Sequence, residues 1–395
     1  MNSLDMRTGL KPERVTNAMW DFSWLYGHYP GGPFADFDKV TDELLERCFN
    51  TVRIDCFPWI IGNMSNPSDY TTVQGNPLLT WGHSYTDQKH RLLDELIEFV
   101  SVAKAKGLYL ILSNWGGFGI SEFPLANSTE GKNHILTTGW ERILEALKQN
   151  NLLDSVLYVD LDQEFPFFSP VNKELQNLGS AKKPASVSED GMEQAGKREA
   201  SRKLRFNYEQ MDFLSEHFKN TLGHFQELYP QLRFTYSFTD YWEEYRALKS
   251  QSFDVLQLHF WMHSPRFDRR TGFGNLTKDR GNHDFSDYQK RLNSTLSSIR
   301  PMLLKEMHNR LKFAREWSED SAAPVVTTEA WGPWWHTDHP DLTWGWLREW
   351  CGECMQLAAD YGLWGATPWN FCHPYWSTWT DVAWYKEVNG IFLKG

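Results

Sequence analysis

Two glutamates stand where a carboxylate is expensive unless it is used. Glu164 closes the run Tyr158-Val159-Asp160-Leu161-Asp162-Gln163-Glu164-Phe165-Pro166, and Glu329 closes Val325-Val326-Thr327-Thr328-Glu329-Ala330-Trp331. Each lies at the junction of an apolar strand and a loop, where an unpaired carboxylate is costly. Two carboxylates facing one cleft suit cleavage of a glycosidic bond: one protonates the leaving oxygen, the other supports or bonds the developing oxocarbenium carbon. Asp160, Asp162 and Glu164 fall on one strand face at period two, and crowded acids there raise a proton affinity, as a general acid needs. They are equally able to form salt bridges. Arg53, in Thr51-Val52-Arg53-Ile54, is a cation able to keep Glu329 ionised; the plain alternative is a surface pair with Asp55. His259 could donate to a carboxylate or a sugar hydroxyl, or be a satisfied core residue.

The elements that must bring these groups together are legible as an alternation. Eight strand candidates appear: Val15–Asp21, Thr51–Phe57, Leu108–Asn114, Val156–Glu164, Arg233–Phe238, Val255–Phe260, Pro324–Glu329 and Leu363–Trp369. Helical periodicity lies between them. Phe37, Val40, Leu44 and Cys48 share one helix face, and Leu92, Leu93, Leu96, Ile97 and Val100 repeat the pattern. Further helices are expected near Gly139–Gln149, Leu204–Leu228, Trp242–Leu248, Tyr288–Trp317 and Trp344–Tyr361. Strand and helix alternating through one chain predict a single-domain (β/α)8 TIM barrel over residues 1–395, with loop insertions after strands 4 and 6. Gly107 and Gly362 fall where a helix hands over to a strand, as left-handed caps should. Strands 4 and 7 then face each other across the barrel mouth, where barrel active sites are built. Lys173–Arg202, rich in Lys, Glu, Ser, Ala and Gly, predicts a mobile insertion on the active-site rim. The loop Met262–Asp284 carries Arg266, Arg269, Arg270, Lys278 and Arg280. These either pair with Asp268, Asp279 and Asp284 of their own loop or with a neighbouring subunit, or greet an anionic sugar.

Composition narrows the class. The chain has 395 residues and a net charge of −11. An acidic surface is a poor match for nucleic acid, whose phosphates need a basic face. No run of about 18 apolar residues suggests a membrane span, and no apolar leader precedes the first strand. Five cysteines are an odd, sparse set, as expected of reduced thiols in a cytoplasm. Twenty tryptophans are many for a core, and flat indole faces suit the apolar C–H faces of pyranose rings. The competing reading is a large aromatic core. Trp331, Trp334 and Trp335 follow strand 7; Trp369, Trp376 and Trp379 follow strand 8; Trp20 and Trp24 accompany strand 1. Trp331 and Trp369 are the foremost candidates for sugar subsites.

Strand by strand, over nearly its whole length, the chain resembles a clan A glycoside hydrolase, close to the cellulase-like proteins of glycoside hydrolase family 5. The resemblance implies that Glu164 is the acid/base, Glu329 the nucleophile, and Arg53 the arginine that braces it. It implies that His259, in Leu258-His259-Phe260-Trp261, stands at the sixth-strand histidine, and that Trp369, in Thr367-Pro368-Trp369-Asn370, floors the cleavage site. The chain also departs from the pattern. Gln163 replaces the asparagine that holds the sugar 2-hydroxyl, and Phe165 intervenes before Pro166. Trp261 stands where a tyrosine would touch the nucleophile. Asn114-Trp115 ends the third strand where a histidine is common. The departures resemble the group described as sugar-binding cellulase-like proteins.

The implied partner is carbohydrate: a β-linked glycoside or short oligosaccharide, hydrolysed with retention. The alternative is a non-catalytic carbohydrate-binding protein on the same barrel. No cofactor and no metal is called for. Cys351-Gly352-Glu353-Cys354 sits inside a helix without a thioredoxin context, no His-x-His closes strand 1, and Gly116-Gly117-Phe118-Gly119 lacks the lysine of a phosphate loop.

Overall fold

The structure is a computed structural model that describes residues 10, 12–75, 84–115, 129–180, 204–248, 253–262, 265–273 and 284–395. Eight strand segments alternate with helices: β1 Val15–Asp21, β2 Thr51–Asp55, β3 Tyr109–Ser113, β4 Val156–Asp160, β5 in two pieces Phe234–Thr235 and Ser237–Phe238, β6 Leu256–Leu258, β7 Val325–Val326 and β8 Gly365–Ala366. All pairings between them are parallel. The ladder runs from the first piece of β5 through β4, β3, β2, β1, β8, β7 and β6 to the second piece of β5. The two pieces of β5 flank Tyr236, so one strand pairs with both neighbours and the sheet closes into the expected barrel.

The strands at β7 and β8 are much shorter than their apolar runs. Hydrogen-bonded pairing stops where the backbone turns to build the mouth. Asp21 (φ 30°), Phe57 (φ 52°), Glu164 (φ 47°) and Tyr241 (φ 59°) all take left-handed conformations just at or beyond strand ends. Gly107 and Gly362 take positive φ, as their positions predicted.

The helices packing outside are α1 Phe37–Glu46, α2 Leu92–Ala105, α3 Thr129–Gln149, α4 Tyr208–Leu228, α5 Trp242–Arg246, α6 Phe285–Ser321, α7 Gly345–Asp360 and α8 Val382–Lys394. The last helix, α8, is additional to those expected from periodicity. Its signal is present: Asp381 caps it by accepting from Trp384 N–H, and Tyr385, Val388, Asn389 and Phe392 line its buried face.

Burial follows from strand alternation. Ala18, Trp20, Val52, Ile54, Leu110, Leu112, Leu256 and Leu258 point out into the cluster shared with the helices. Val15, Ile111, Tyr158, Val255, Val326 and Trp364 belong to a second cluster that fills the base of the barrel. Above that plug the buried residues are polar: Asn17, Arg53, Asp160, Gln257 and His259.

Three expectations need revision. The insertion expected from Lys173 opens with an ordered helix, Asn172–Ser180, tied down by Gln210 Nε2–H to Leu175 O and Asn207 Nδ2–H to Leu178 O; residues 181–203 lie outside the described residues. In the loop after β6, Arg270 donates to Ser298 Oγ and Asp284 caps α6, so neither joins the other in a loop pair. Arg266's side chain, Asp279, Lys278 and Arg280 lie outside what is described.

The third concerns tryptophan. Trp20, Trp24, Trp140, Trp317, Trp331, Trp364 and Trp369 are among the largest fully buried side chains. Their N–H groups are satisfied largely by backbone carbonyls: Trp20 to Cys372, Trp24 to Asp55, Trp140 to Leu161, Trp331 to Thr367 and Trp364 to Pro12. Most of the indoles thus act as core staples. Cys351 and Cys354 are buried thiols within α7, pushed up in pKa by burial.

Candidate active site

Closure of the barrel brings β2, β4, β6 and β7 to one centre. Arg53 points inward because Val52 and Ile54 face the helices. It is fully buried, and its hydrogen bonds leave the guanidinium little freedom. Nε donates to Asp21 Oδ1 at 2.9 Å, and Nη2 donates to Asp21 Oδ2 at 2.7 Å and Glu329 Oε1 at 2.5 Å. Nη1 donates to Thr328 Oγ1 and lies 3.5 Å from His259 Nε2. Arg53 thus meets Glu329 as expected, and the alternative pair with Asp55 does not form. Asp55 instead accepts Phe57 N–H (2.7 Å) and Trp115 N–H (2.6 Å), bracing the turn that leaves β2.

Glu329 is fully buried, and Glu164 keeps a side-chain exposure of 14%. His259 reaches both: Nδ1 lies 3.1 Å from Glu164 Oε1 and 3.4 Å from Glu329 Oε2. Arginine can only donate, so Nε2 beside Arg53 is the acceptor and Nδ1 carries the proton. Burial pushes the imidazole down to about 4, so the ring is neutral. Trp261 Nε1 donates to Glu164 Oε1 at 3.2 Å. The indole therefore serves Glu164, whereas the tyrosine it replaces would touch the nucleophile. One ligand-type atom from each of Glu164, His259 and Glu329 lies within 4.8 Å of the others.

Burial pushes both carboxyls up to about 7, and what distinguishes them is their contacts. Trp261 and Arg53 pull Glu164 the other way. Its neighbours on β4 are not the cause: Asp160 is engaged by Ser237 N–H and Gln257 Nε2, and Asp162 by Asn114 Nδ2. Glu329 is raised by burial too, but His259 and Arg53 oppose the rise. With a guanidinium in direct contact, Glu329 is the carboxyl that ionises first. The same three side chains are the group among the described residues that could offer a metal three ligands. Arg53 against Glu329 places a positive charge beside that position and disfavours a second cation.

The other candidates divide. Asn114 is buried beside Asp162, and its backbone carbonyl accepts Gln163 N–H. Both polar side-chain atoms of Gln163 are buried without a partner among the described residues, as is Asn114 Oδ1. Trp369 is fully buried, with His336 edge-on at 4.8 Å and its Nε1 unpartnered. Trp331 is withdrawn from the site. Its ring packs 5.5 Å from Phe260, and its N–H is spent on Thr367 O.

Three residues were missed. Asp21 and Thr328 hold Arg53, and Asp21 was detectable as the inward position next along from Asn17 and Met19. Arg310, from α6, donates to the carbonyls of His259 (2.6 Å) and Trp261 (2.7 Å), fixing the two donors that serve Glu164. No local pattern marks it, because it acts through backbone carbonyls of a strand about fifty residues away.

Comparisons with known proteins agree with this architecture. The profile of a family described as sugar-binding cellulase-like matches residues 17–393. Among solved structures, a candidate glycoside hydrolase from Parabacteroides distasonis is similar at 25% identity and a TM-score of 0.74, covering 96% of this chain and 93% of that one. A tri-modular family 5 (subfamily 4) endo-β-1,4-glucanase from Bacillus licheniformis is similar in fold at 14% identity and a TM-score of 0.53, covering 99% of this chain and 61% of that one. A family 5 xyloglucanase from Paenibacillus pabuli matches at 11% identity and a TM-score of 0.50, covering 96% and 98%. A comparison with curated protein sequences finds no match.

Proposed function

The chain belongs to the sugar-binding cellulase-like family, and we propose that it hydrolyses a β-linked glycoside or short oligosaccharide with retention of configuration. The observation that carries this reading is the spacing of the glutamates, one oxygen of each within 4.8 Å of the other. Retaining enzymes hold their carboxyls about 5–5.5 Å apart, and inverting enzymes about 6.5–9.5 Å apart to admit a water.

In the first step Glu329, held ionised by Arg53, attacks the anomeric carbon. The glycosidic C–O bond breaks, and the leaving oxygen takes the proton from Glu164. In the second step Glu164, now a carboxylate, removes a proton from water. The water oxygen attacks the anomeric carbon, and the ester bond to Glu329 breaks, releasing the carboxylate. The buried donors around Glu164 support this double role. Trp261 and His259 are neutral, so they orient the carboxyl without fixing its charge. The unpartnered amide of Gln163 offers hydrogen bonds to a sugar hydroxyl.

The active form needs Glu329 without a proton and Glu164 with one. The pH profile of kcat/KM is therefore bell-shaped. Its alkaline limb is set by Glu164, and activity falls as pH rises through about 7. Trp261→Phe removes a hydrogen bond that favours the charged form, so the alkaline limb moves up. The shift is roughly half a unit to one unit, the equivalent of one hydrogen bond of about 1 kcal/mol. An unmoved limb would detach Trp261 from the acid.

A second reading, a barrel that binds sugar without cleaving it, is favoured by the family's description as sugar-binding and by Gln163 and Trp261 in place of asparagine and tyrosine. A panel of aryl β-glycosides separates the two. Release of the phenol supports the enzyme, and saturable binding with no release supports the binding protein.

A further inference from the structure

Asp21 touches neither glutamate, yet it takes up much of Arg53. It ends β1 in a left-handed conformation and is fully buried. Both of its oxygens are committed: Oδ1 to Arg53 Nε at 2.9 Å, and Oδ2 to Arg53 Nη2 and Trp115 Nε1, each at 2.7 Å. Arg53 Nη2 has two N–H bonds. One goes to Asp21 and the other to Glu329. A single cation is thus divided between two carboxylates, with a tryptophan N–H from the end of β3 acting on the outer one.

We propose that Asp21 is a positioning residue for the reaction read above, aiming the Arg53 guanidinium at Glu329 while drawing off part of its charge, and that Trp115 adjusts that share. The division has chemical consequences. A carboxylate facing the whole charge of an arginine holds a proton weakly and is a poor nucleophile. One with no arginine stays protonated in a buried site. Sharing sets Glu329 between these limits.

The charged and titratable groups facing this centre include Asp21 on β1, Arg53 and Asp55 on β2, Tyr158 and Asp160 on β4, Glu164 beyond β4, His259 beyond β6, Arg310 on α6, Glu329 beyond β7 and Cys372 beyond β8. Asp21 raises the proton affinity of Glu329, and Arg53 and His259 lower it.

Two substitutions in the full chain therefore act with opposite sign. Asp21→Asn keeps the shape but gives up the charge. Arg53 then acts undivided on Glu329, whose titration moves to lower pH by about one unit. Trp115→Phe removes a donor from Asp21, so Asp21 draws harder on Arg53 and the titration of Glu329 moves to higher pH. Selective ¹³C-carboxyl NMR of glutamate reads this without substrate, the Glu329 signal being the one lost in Glu329→Gln. If wild type turns over an aryl β-glycoside, Asp21→Asn also lowers kcat on the order of 10–100-fold through misaimed contacts, with KM little changed. The acid limb follows the NMR shift.

Opposite shifts support the inference even if no glycoside is cleaved, since that outcome overturns only the hydrolase reading. Shifts of the same sign in both variants, or none in either, overturn it. If Asp21→Asn does not fold, the sign of the Trp115→Phe shift decides: upward supports the division of charge, and unchanged or downward refutes it.

Discussion

Glu329→Gln abolishes turnover, with kcat on an aryl β-glycoside falling by about 10⁴-fold or more, the scale of losing a nucleophile together with its contacts in the transition state. The change is isosteric. The amide still fills the fully buried site and can accept from Arg53 Nη2, so folding is retained. The amide oxygen cannot form the ester with the anomeric carbon that the first step requires. Sugar binding survives, because the proposed polar contacts, among them Gln163 and Asn114, whose buried amide atoms have no partner among the described residues, are untouched. Glu164→Gln gives a different pattern. A leaving group too weakly basic to need a proton still departs, so the loss in kcat/KM, which reports the first step, is large for alkyl glycosides and small for activated aryl ones, while kcat falls on both because the second step lacks its base. Equal loss of kcat/KM on both kinds of substrate would remove Glu164 from the role of acid.

Arg53→Met carries the largest expected cost in stability, about 3–5 kcal/mol, the cost of breaking a buried pair by removing one partner. Asp21 and Glu329 would be left buried together without their shared cation, and Thr328 Oγ1 would lose its donor. Methionine fills much of the space, so the loss is chiefly electrostatic. Denaturant unfolding reads it. The double variant with Asp21→Asn recovers part of the loss, because one of the two stranded carboxylates has gone. A single variant as stable as wild type would mean that the guanidinium does not hold the centre together.

The barrel was legible because strand alternation and helical periodicity are local. Val52 and Ile54 point out and Arg53 points in by period two alone, and Phe37, Val40 and Leu44 bury one face of α1 as their spacing requires. The glutamates were legible because a carboxyl at the end of an apolar strand needs a reason. What was not legible depends on contacts across the closed sheet. Arg53 meets Glu329 as read from the sequence, but its second carboxylate partner, Asp21 on β1, was not foreseen. The rise of Glu164 was expected from acids on β4, but burial causes it, while those acids are engaged by Ser237, Gln257 and Asn114. The abundance of tryptophan suggested sugar platforms. The barrel uses most of them to fill the layer between strands and helices, their N–H groups meeting carbonyls at strand ends and loops. Composition cannot tell these uses apart, because each rewards a flat apolar ring with one donor.

The claim on which the rest depends is a covalent route through Glu329, and the stereochemistry of the first product tests it most directly. Proton NMR of the anomeric region, recorded during hydrolysis of an aryl β-glycoside before mutarotation, distinguishes the two anomers. A covalent ester on Glu329 gives the β-anomer first, and the α-anomer grows in later. Initial formation of the α-anomer would contradict that route, because it would mean direct attack by water in a single inverting step.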